Sequence, residues 1–218
     1  MAMTADGKIA TANRAVHTFG SRRDLAHLYE LRATADAVMC GARTVEISQA
    51  TLGNGGEKFR HQRLQHQLVE YPMRVVVSGS GTLDPASEIF KTHFSPLLIL
   101  TTRRIHPKNL RQLETLATAV KICGETEIDF RRTLRWLQQK WGIQRLLCEG
   151  GGELNDALFR ADLVDEIHLT ICPKIFGGRT APTIADGLGI PHLANAKNFK
   201  IGSIRAIKGE LFTVFSRL

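Results

Sequence analysis

The regular alternation of strand-like and helix-like segments constrains the fold of this chain most. Short apolar runs of strand length recur, and a segment of helical character follows each of them. The clearest runs are DAVMCG (36–41), MRVVVS (73–78), PLLILTT (96–102) and IQRLLC (143–148). Because parallel strands need a crossover connection, usually a helix, the alternation as far as Asp162 predicts a mostly parallel α/β sheet flanked by helices.

Strands dominate the sequence after Asp162. Two alternating segments flank Lys208-Gly209, a pair typical of a tight turn, so we expect a C-terminal antiparallel hairpin that extends the sheet. The chain contains no Pro/Ser-rich linker and no internal repeat, which favours a single domain over residues 1–218.

Arg32 occupies the predicted core face of a helix that Ser21 is positioned to cap. Leu25, Leu28 and Tyr29 precede it at the spacing of one helical face. A buried, unpaired charge costs several kcal/mol. The guanidinium therefore needs an internal carboxylate or a phosphate ligand, unless it reaches solvent at the end of the helix.

A run of glycines forms the sharpest local motif. The strand IQRLLC leads into Glu149 and Gly150-Gly151-Gly152, and a helix follows at once. Glycines let a backbone turn sharply and approach a ligand, and a helix N-terminus carries partial positive charge. The motif predicts a seat for a phosphate or pyrophosphate, and the alternative is a tight turn without a ligand.

Two weaker motifs carry polar groups. Thr44 falls in the expected first turn of a helix after Gly41, where a hydroxyl can contact a phosphate or cap the helix. Asp6 and Lys8 flank Gly7 in a turn that has a functional and a purely structural interpretation.

The four cysteines end apolar runs and lack the spacing of a zinc site. They stand at positions 40, 123, 148 and 172, and no HExxH motif occurs among the eight histidines. We expect reduced, buried thiols at strand ends, with neither a disulfide nor a metal site.

Charge and composition restrict the classes of molecule that this chain is suited to bind. The formal net charge is +8, yet basic residues form scattered pairs, and aromatic residues make up only 6% of the chain. This pattern favours small anionic ligands over nucleic acid. No apolar run reaches the length of a membrane span and the N-terminus has no apolar signal core, so we expect a cytoplasmic protein without a membrane partner.

Five segments together resemble the reductase domain of the riboflavin-biosynthesis deaminase/reductase proteins, the pyrimidine reductase branch of the dihydrofolate-reductase-like family. They are MTADGKIA (3–10), LRATADAVMCGARTV (31–45), RVVVSGSGTLDP (74–85), LLCEGGGELNDALFRADLVDEIHLTICPKIFGG (146–178) and TIADGLG (183–189). The resemblance implies a single α/β domain without a deaminase domain, usually a homodimer. It also implies NADPH-dependent reduction of a ribosylamino-pyrimidinone 5′-phosphate to its ribitylamino form.

The resemblance also implies roles for individual residues. Arg32 would hold the substrate phosphate, Glu149 would border the substrate, and Asp6 and Lys8 would lie near the nicotinamide and the pyrimidine. Two further assignments are our own hypotheses: Lys8 polarises a pyrimidine carbonyl, and Arg103 with Arg104, just after the LLILTT strand, binds the 2′-phosphate of NADPH. The other expected cofactor contacts are Thr44, Ser78, Gly150, Gly151, Gly152, Glu153 and Leu154.

The sequence departs from the family pattern in two places. Family members usually carry a strand of several residues ahead of the TADGK motif, but here the matching segment begins at residue 3, so we expect that strand to be shortened. Many members carry DDP in the loop that reaches the substrate, and here EISQATLGNGG (46–56) stands in its place. Three alternatives therefore stay open: a dihydrofolate or pterin reductase of the same fold, a nucleotide- or phosphate-binding relative without turnover, and a nucleic-acid binder.

Overall fold

The computed structural model describes residues 1–14 and 19–218. The chain divides into two compact units. One comprises Met1–Leu28 with Gly150–Leu218, and the other comprises Tyr29–Glu149. The single domain over residues 1–218 stays a prediction.

Strands and helices alternate along the chain as the sequence pattern predicts. The strands are β1 (Ala2–Thr4), β2 (Ala37–Gly41), β3 (Met73–Val77), β4 (Leu97–Thr101), β5 (Ala119–Ile122), β6 (Leu146–Cys148), β7 (Glu166–Cys172), β8 (Phe199–Ile207) and β9 (Glu210–Arg217). The α-helices are α1 (Arg22–Arg32), α2 (Ala42–Ser48), α3 (Glu57–Gln65), α4 (Glu88–Lys91), α5 (Pro107–Leu116), α6 (Phe130–Trp141) and α7 (Gly152–Arg160).

The unit of residues 29–149 is built on a five-stranded parallel sheet. Its strand order is β5-β4-β3-β2-β6, so β3, β4 and β5 extend from one side of β2 while β6 pairs with the other. The central strands are buried on both faces, as their unbroken apolar runs require. Val38, Val76 and Ile99 lie in the hydrophobic core of this unit.

The other unit contains a four-stranded mixed sheet with the order β1-β7-β9-β8. The predicted hairpin of β8 and β9 is present, and Lys208 and Gly209 at its turn both have positive φ, which suits a two-residue hairpin loop. The hairpin pairs with β7 and forms part of this separate sheet, so the expectation that it extends the parallel sheet is wrong. Three residues are too few to show a period, and the segment pattern therefore missed β1.

Ser21 caps α1 as predicted, and α6 is capped at both of its ends. The Ser21 hydroxyl accepts hydrogen bonds from the amides of Arg23 and Asp24, at 3.1 and 3.3 Å. The Asp129 carboxylate caps α6, and Gly142 ends that helix with φ 69°. These caps satisfy amides and carbonyls that a helix leaves unpaired at its ends.

The predicted core face of α1 is only partly correct. Arg32 is buried as expected, but Leu25 is 39% exposed. Polar contacts hold the first half of α1 at its capped end, where the buried Glu210 carboxylate accepts from the amide and hydroxyl of Ser21. Across residues 1–14 and 19–218, no helix combines the length and apolar character that crossing a membrane requires.

Candidate functional site

The parallel sheet of residues 29–149 reverses its strand order at β2. Strands β2 to β5 follow one another in one direction across the sheet, whereas β6 pairs with the opposite side of β2. The boundary between β2 and β6 is therefore a topological switch point. Ligands of open α/β sheets bind at the carboxyl ends of the strands at such a point. Five of the predicted site residues follow the carboxyl ends of strands in this sheet, namely Thr44, Ser78, Arg103, Arg104 and Glu149.

Arg32 and Glu149 form a bidentate ion pair at this switch point. The Nε and Nη2 atoms of Arg32 donate to Oε1 and Oε2 of Glu149 at 2.6 and 2.7 Å, and both side chains are about one-tenth exposed. The amide of Glu149 donates to the carbonyl of Met39 at 2.8 Å, which continues the β2–β6 pairing by one residue. The sequence predicted either an internal carboxylate or a phosphate ligand as the partner of a buried Arg32. The structure supplies the internal carboxylate, Glu149.

Burial and charge act in opposite directions on the Arg32 guanidinium. Burial disfavours its charged form, but the adjacent Glu149 carboxylate outweighs that effect and raises the pKa of Arg32 above its ordinary value. Arg32 also donates from Nη1 to the carbonyl of Gly53 at 2.7 Å. These contacts use three of its five N–H donors, so the pairing with Glu149 does not saturate the guanidinium.

The 46–56 segment packs against the end of α1. Gly55 has φ +87°, and a Cβ there would lie 2.3 Å from the Tyr29 ring, so only glycine fits. The buried Asn54 side chain donates to the Glu70 carbonyl and accepts from the Gly56 amide. This unusual segment therefore forms a packed loop that supplies the Gly53 carbonyl to Arg32.

The cofactor candidates of this unit differ in their surroundings. The Arg103 Nε donates to the Glu125 carboxylate at 2.7 Å, and both side chains are well exposed. A Cβ built on Gly79 would lie 3.5 Å from Nη2 of Arg104, so this guanidinium lies beside the loop that follows β3. Of the two arginines, Arg104 is the better placed at the carboxyl edge of the sheet.

The two hydroxyl candidates, Ser78 and Thr44, differ in burial and in hydrogen bonding. Ser78 is buried and its hydroxyl donates to the Thr82 carbonyl at 3.3 Å, inside its own turn. Thr44 is half-buried in the first turn of α2, where sequence reasoning expected it. Thr44 therefore offers the more accessible hydroxyl.

In the other unit, Asp6 anchors a loop. Its carboxylate accepts from the Thr4 hydroxyl at 2.5 Å, the Gly177 amide at 2.7 Å and the Phe176 amide at 3.3 Å. The hydrogen bond from Thr4 is the largest reason that the pKa of Asp6 lies below its ordinary value, with burial acting in the opposite direction. Lys8 donates from Nζ to the Ala181 carbonyl at 3.2 Å.

The glycine run begins α7 as predicted. Gly150 has φ +86°, and the first turn of the helix starts at Gly152. A Cβ on Gly152 would lie 2.7 Å from the Thr183 carbonyl oxygen and 3.0 Å from the Asp186 carboxylate. Close packing of the chain's own 183–186 loop thus explains this glycine, a cause that the motif alone did not reveal.

The remaining predicted residues of this motif lie in the first turn of α7. Glu153 is exposed and Leu154 is buried, so Leu154 can meet a ligand only through its backbone. Amides in the first turn of a helix lack partners within that helix and carry partial positive charge. This turn is suited chemically to an anion.

Sequence reasoning missed Gly53, whose carbonyl accepts from the Arg32 side chain, and Arg63, whose Nη1 donates to the Arg32 carbonyl. Arg63 of α3 is fully buried and follows the buried Phe59 by four residues, a spacing that marks one helical face. A charged residue on that face was the available signal. Gly53 gave no signal, because its contact is made by a backbone carbonyl.

The cysteines lie at or next to strand ends, as predicted. Cys40 and Cys172 are buried, whereas Cys123 and Cys148 are only partly buried. Burial raises the pKa of Cys172 to about 12 and that of Cys40 well above its ordinary value. In the described ranges 1–14 and 19–218, no group of three His, Cys, Asp or Glu side chains is arranged to hold a metal ion.

Comparison with known proteins identifies the family. The model of the RibD C-terminal domain matches residues 1–212. The 2,5-diamino-6-ribosylamino-4(3H)-pyrimidinone 5′-phosphate reductase of Methanothermobacter thermautotrophicus is 34% identical over 195 residues, which cover 89% of this chain and 85% of that protein. The protein of the same name from Archaeoglobus fulgidus is 32% identical over 218 residues, covering 100% of this chain and 95% of the relative.

Solved structures show the same fold. A pyrimidine reductase-like protein from Corynebacterium diphtheriae superposes with a TM-score of 0.83 at 19% identity, covering 100% of this chain and 89% of that one. Acinetobacter baumannii RibD superposes with a TM-score of 0.80 at 19% identity, and this chain spans 56% of its length. The resemblance drawn from the motifs is confirmed, and the chain belongs to the RibD C-terminal domain family.

Proposed function

We propose that the protein catalyses the NADPH-dependent reduction of a ribosylamino-pyrimidinone 5′-phosphate to the ribitylamino form, a step of riboflavin biosynthesis. The observation that carries the proposal is the buried Arg32–Glu149 pair at the switch point of the parallel sheet. Relatives from two organisms that bear the name of this reductase align with nearly the whole chain, which supports the same activity here.

The reaction places modest demands on acid–base groups. The ring-opened ribosylamine is an imine, so C1′ gains a hydride, the nitrogen gains a proton and the C=N bond becomes a C–N single bond. NADPH supplies the hydride when bound. The protein's contribution is to hold the reactants in register and to exclude water.

Arg32 is our candidate for the substrate phosphate. Its planar fork suits a phosphate, and the contacts with Glu149 and Gly53 leave part of the fork for a ligand. Glu149 fixes the plane of the guanidinium and, in this proposal, borders the pyrimidine. Because Glu149 already neutralises Arg32, the affinity for the phosphate depends on orientation more than on net charge.

Lys8 is our candidate for polarising a pyrimidine carbonyl. Its ammonium donates to a single protein carbonyl, that of Ala181, among the hydrogen bonds described for it, so donors remain for a ligand oxygen. Asp6 would act beside it by holding the 176–177 loop with its carboxylate. In this assignment Asp6 positions and Lys8 contacts the substrate.

The donors present fit an anionic dinucleotide. Arg104 and the Thr44 hydroxyl at the carboxyl edge of the parallel sheet would bind phosphate oxygens, with Ser78 and Arg103 as the weaker candidates of that unit. In the other unit, the backbone of Gly150–Leu154 would contact the pyrophosphate. The formal net charge of +8 suits two ligands that each carry a phosphomonoester.

We also propose that the protein is a homodimer. The edge strand β8 leaves Ile201 and Ile204 63% and 56% exposed, and exposed apolar side chains on an unpaired strand edge favour association. Light scattering after size exclusion should give twice the chain mass, and Ile204→Lys should shift the protein towards monomer. A wild-type monomer would contradict this part of the proposal.

A thermal-shift titration tests the cofactor directly. A ligand at a hundred times its Kd adds about 2.7 kcal/mol of stability, which raises the Tm of a chain of this size by roughly 5–10 °C. We expect this rise with NADPH and a smaller one with NADH at the same concentration. Equal absence of a shift with both nucleotides would contradict the proposed cofactor and, with it, the proposed reduction.

A further inference from the structure

Arg63 is a fully buried arginine whose hydrogen bonds, in the described part of the chain, all go to backbone carbonyls. Its Nε donates to the Val69 carbonyl at 2.8 Å, and its Nη1 donates to the carbonyls of Arg32 and Ala35, the latter at 2.7 Å. Among the described residues, Nη2 has no hydrogen-bond partner. Burying a guanidinium that has no ion-pair partner costs free energy of folding. The place in the fold that Arg63 occupies therefore needs a physical explanation.

That point is the C-terminal end of α1. Arg32 is the last residue of α1, and Ala35 lies two residues before β2. The carbonyls at a helix C-terminus are unpaired within the helix and carry partial negative charge, so a guanidinium satisfies both their hydrogen bonds and their field. Arg63 therefore fixes the backbone of the residue whose side chain forms the ion pair with Glu149.

The segment that carries Arg63 holds Arg32 twice. The Gly53 carbonyl accepts from the Arg32 side chain, and ten residues later Arg63 binds the Arg32 backbone. The loop between them is packed by Asn54 and by Gly55 against Tyr29. Residues 53–63 thus restrain both ends of Arg32.

Arg74 provides the internal comparison. It is also buried in the same unit, and its guanidinium donates to the carbonyls of Ile89 and Ser95 and to the Thr92 hydroxyl. None of these partners belongs to the predicted site. Arg74 therefore shares the burial and the carbonyl contacts of Arg63 but not its contact with Arg32.

We propose that Arg63 is a positioning residue that sets the orientation of Arg32 for the 5′-phosphate of the substrate. This inference rests on the proposed function. It assigns roles to the 46–56 loop and to α3, because the loop supplies the Gly53 carbonyl to the Arg32 side chain and Arg63 of α3 binds the Arg32 backbone.

Steady-state kinetics of Arg63→Lys and Arg74→Lys test the inference. Lysine keeps the charge but loses the fork, so Arg63→Lys should raise the KM for the pyrimidinone 5′-phosphate about tenfold, with kcat and the KM for NADPH nearly unchanged. Both variants should lower the Tm to a similar extent, because each removes hydrogen bonds of a buried guanidinium. Arg74→Lys should nevertheless leave both KM values as in the wild type. Equal kinetic effects of the two variants would overturn the inference.

The kinetic outcomes distinguish a failure of the inference from a failure of the proposed function. Wild-type protein without turnover of this substrate would refute the proposed function, and the inference with it. Wild-type turnover together with an unchanged substrate KM in Arg63→Lys would refute the inference alone.

A measurement on the wild-type protein covers the case in which the Arg63 variants do not fold. Nitrogen-15 spectra of the arginine Nε–H groups are recorded with and without ribose 5-phosphate. Binding of this probe should shift the Arg32 and Arg63 signals and leave the Arg74 signal in place. A shift of Arg32 without one of Arg63, or no shift of either signal, would contradict the proposed coupling.

Discussion

Arg32 and Glu149 are 117 positions apart in the sequence, yet two hydrogen bonds of 2.6 and 2.7 Å join their side chains. The pair connects the end of α1 with the residue that follows β6, inside the unit of residues 29–149. Both partners are nearly buried, so neither can lose the other without leaving an uncompensated charge.

The first prediction concerns the stability of this pair. Arg32→Met or Glu149→Leu alone should lower the free energy of unfolding by about 3 kcal/mol, because the remaining charge stays buried and unpaired. The double variant should lose much less than the sum, with a coupling energy of about 1–3 kcal/mol in urea unfolding. Strictly additive losses would mean that the two side chains do not interact in solution.

The second prediction concerns Asp6 and pH. The pKa of Asp6 lies below its ordinary value of 3.8, first because Thr4 donates a hydrogen bond to the carboxylate. A carboxylate with a depressed pKa stabilises the fold above the pKa of the unfolded chain, and that contribution is lost as the pH falls through the lower folded-state value. The stability difference between wild type and Asp6→Asn should therefore shrink below about pH 4.

Urea unfolding of both proteins between about pH 3 and pH 7 measures this difference. Asp6→Asn keeps the shape of the side chain, so packing contributes little to the comparison. A difference that stays constant with pH would show that Asp6 acts through packing rather than through its charge.

The third prediction concerns Gly152. A methyl group there would meet the Thr183 carbonyl oxygen at 2.7 Å and the Asp186 amide nitrogen at 3.1 Å, and backbone atoms cannot move aside cheaply. Gly152→Ala should cost about 1–3 kcal/mol of stability and weaken NADPH binding by displacing the start of α7. Thermal unfolding and a fluorescence titration with NADPH measure the two effects.

Gly53→Ala is the matched control for this methyl group. Its nearest neighbour would be the Phe94 ring at 3.4 Å, an ordinary contact distance, so the stability should change by less than about 1 kcal/mol. If Gly152→Ala were as stable as Gly53→Ala, the close approach of the 183–186 loop would be wrong.

The fourth prediction separates the two arginines that follow β4. Arg104→Ala should reduce the preference for NADPH over NADH about tenfold or more, the effect of losing one charged hydrogen bond to a phosphate. Arg103→Ala should have a smaller effect, because Glu125 already neutralises this guanidinium. The ratio of kcat/KM values for the two nucleotides measures the preference, and an unchanged ratio in both variants would exclude both residues from the 2′-phosphate.

Much of the fold could be predicted from local patterns. Apolar runs such as 73–78 and capping residues such as Ser21 and Asp129 report on their own neighbourhood, and the structure has strands and helices there. The hairpin at Lys208-Gly209 was equally local. Its sheet was not, because partner choice between strands depends on distant residues, and it pairs with β7 in a separate sheet.

The features of the candidate site also divide into local ones, which the sequence predicts, and tertiary ones, which it does not. The pattern of α1 identified Arg32 as a buried charge, but which anion faces it depends on the topology that brings β6 beside β2. The role of Gly53 was out of reach, since a backbone carbonyl leaves no mark in the sequence. Gly152 was singled out correctly as special, yet its contact with the 183–186 loop is tertiary.

Hydride transfer to the substrate decides whether this protein is the proposed reductase. The purified protein is given the ribosylamino-pyrimidinone 5′-phosphate and NADPH carrying deuterium at the transferable position, and the product is examined by mass spectrometry and NMR. We expect a ribitylamino product with one deuterium at C1′, and a large loss of this activity in Arg32→Met. Unchanged substrate with wild-type protein, or turnover of dihydrofolate in its place, would refute the proposed function.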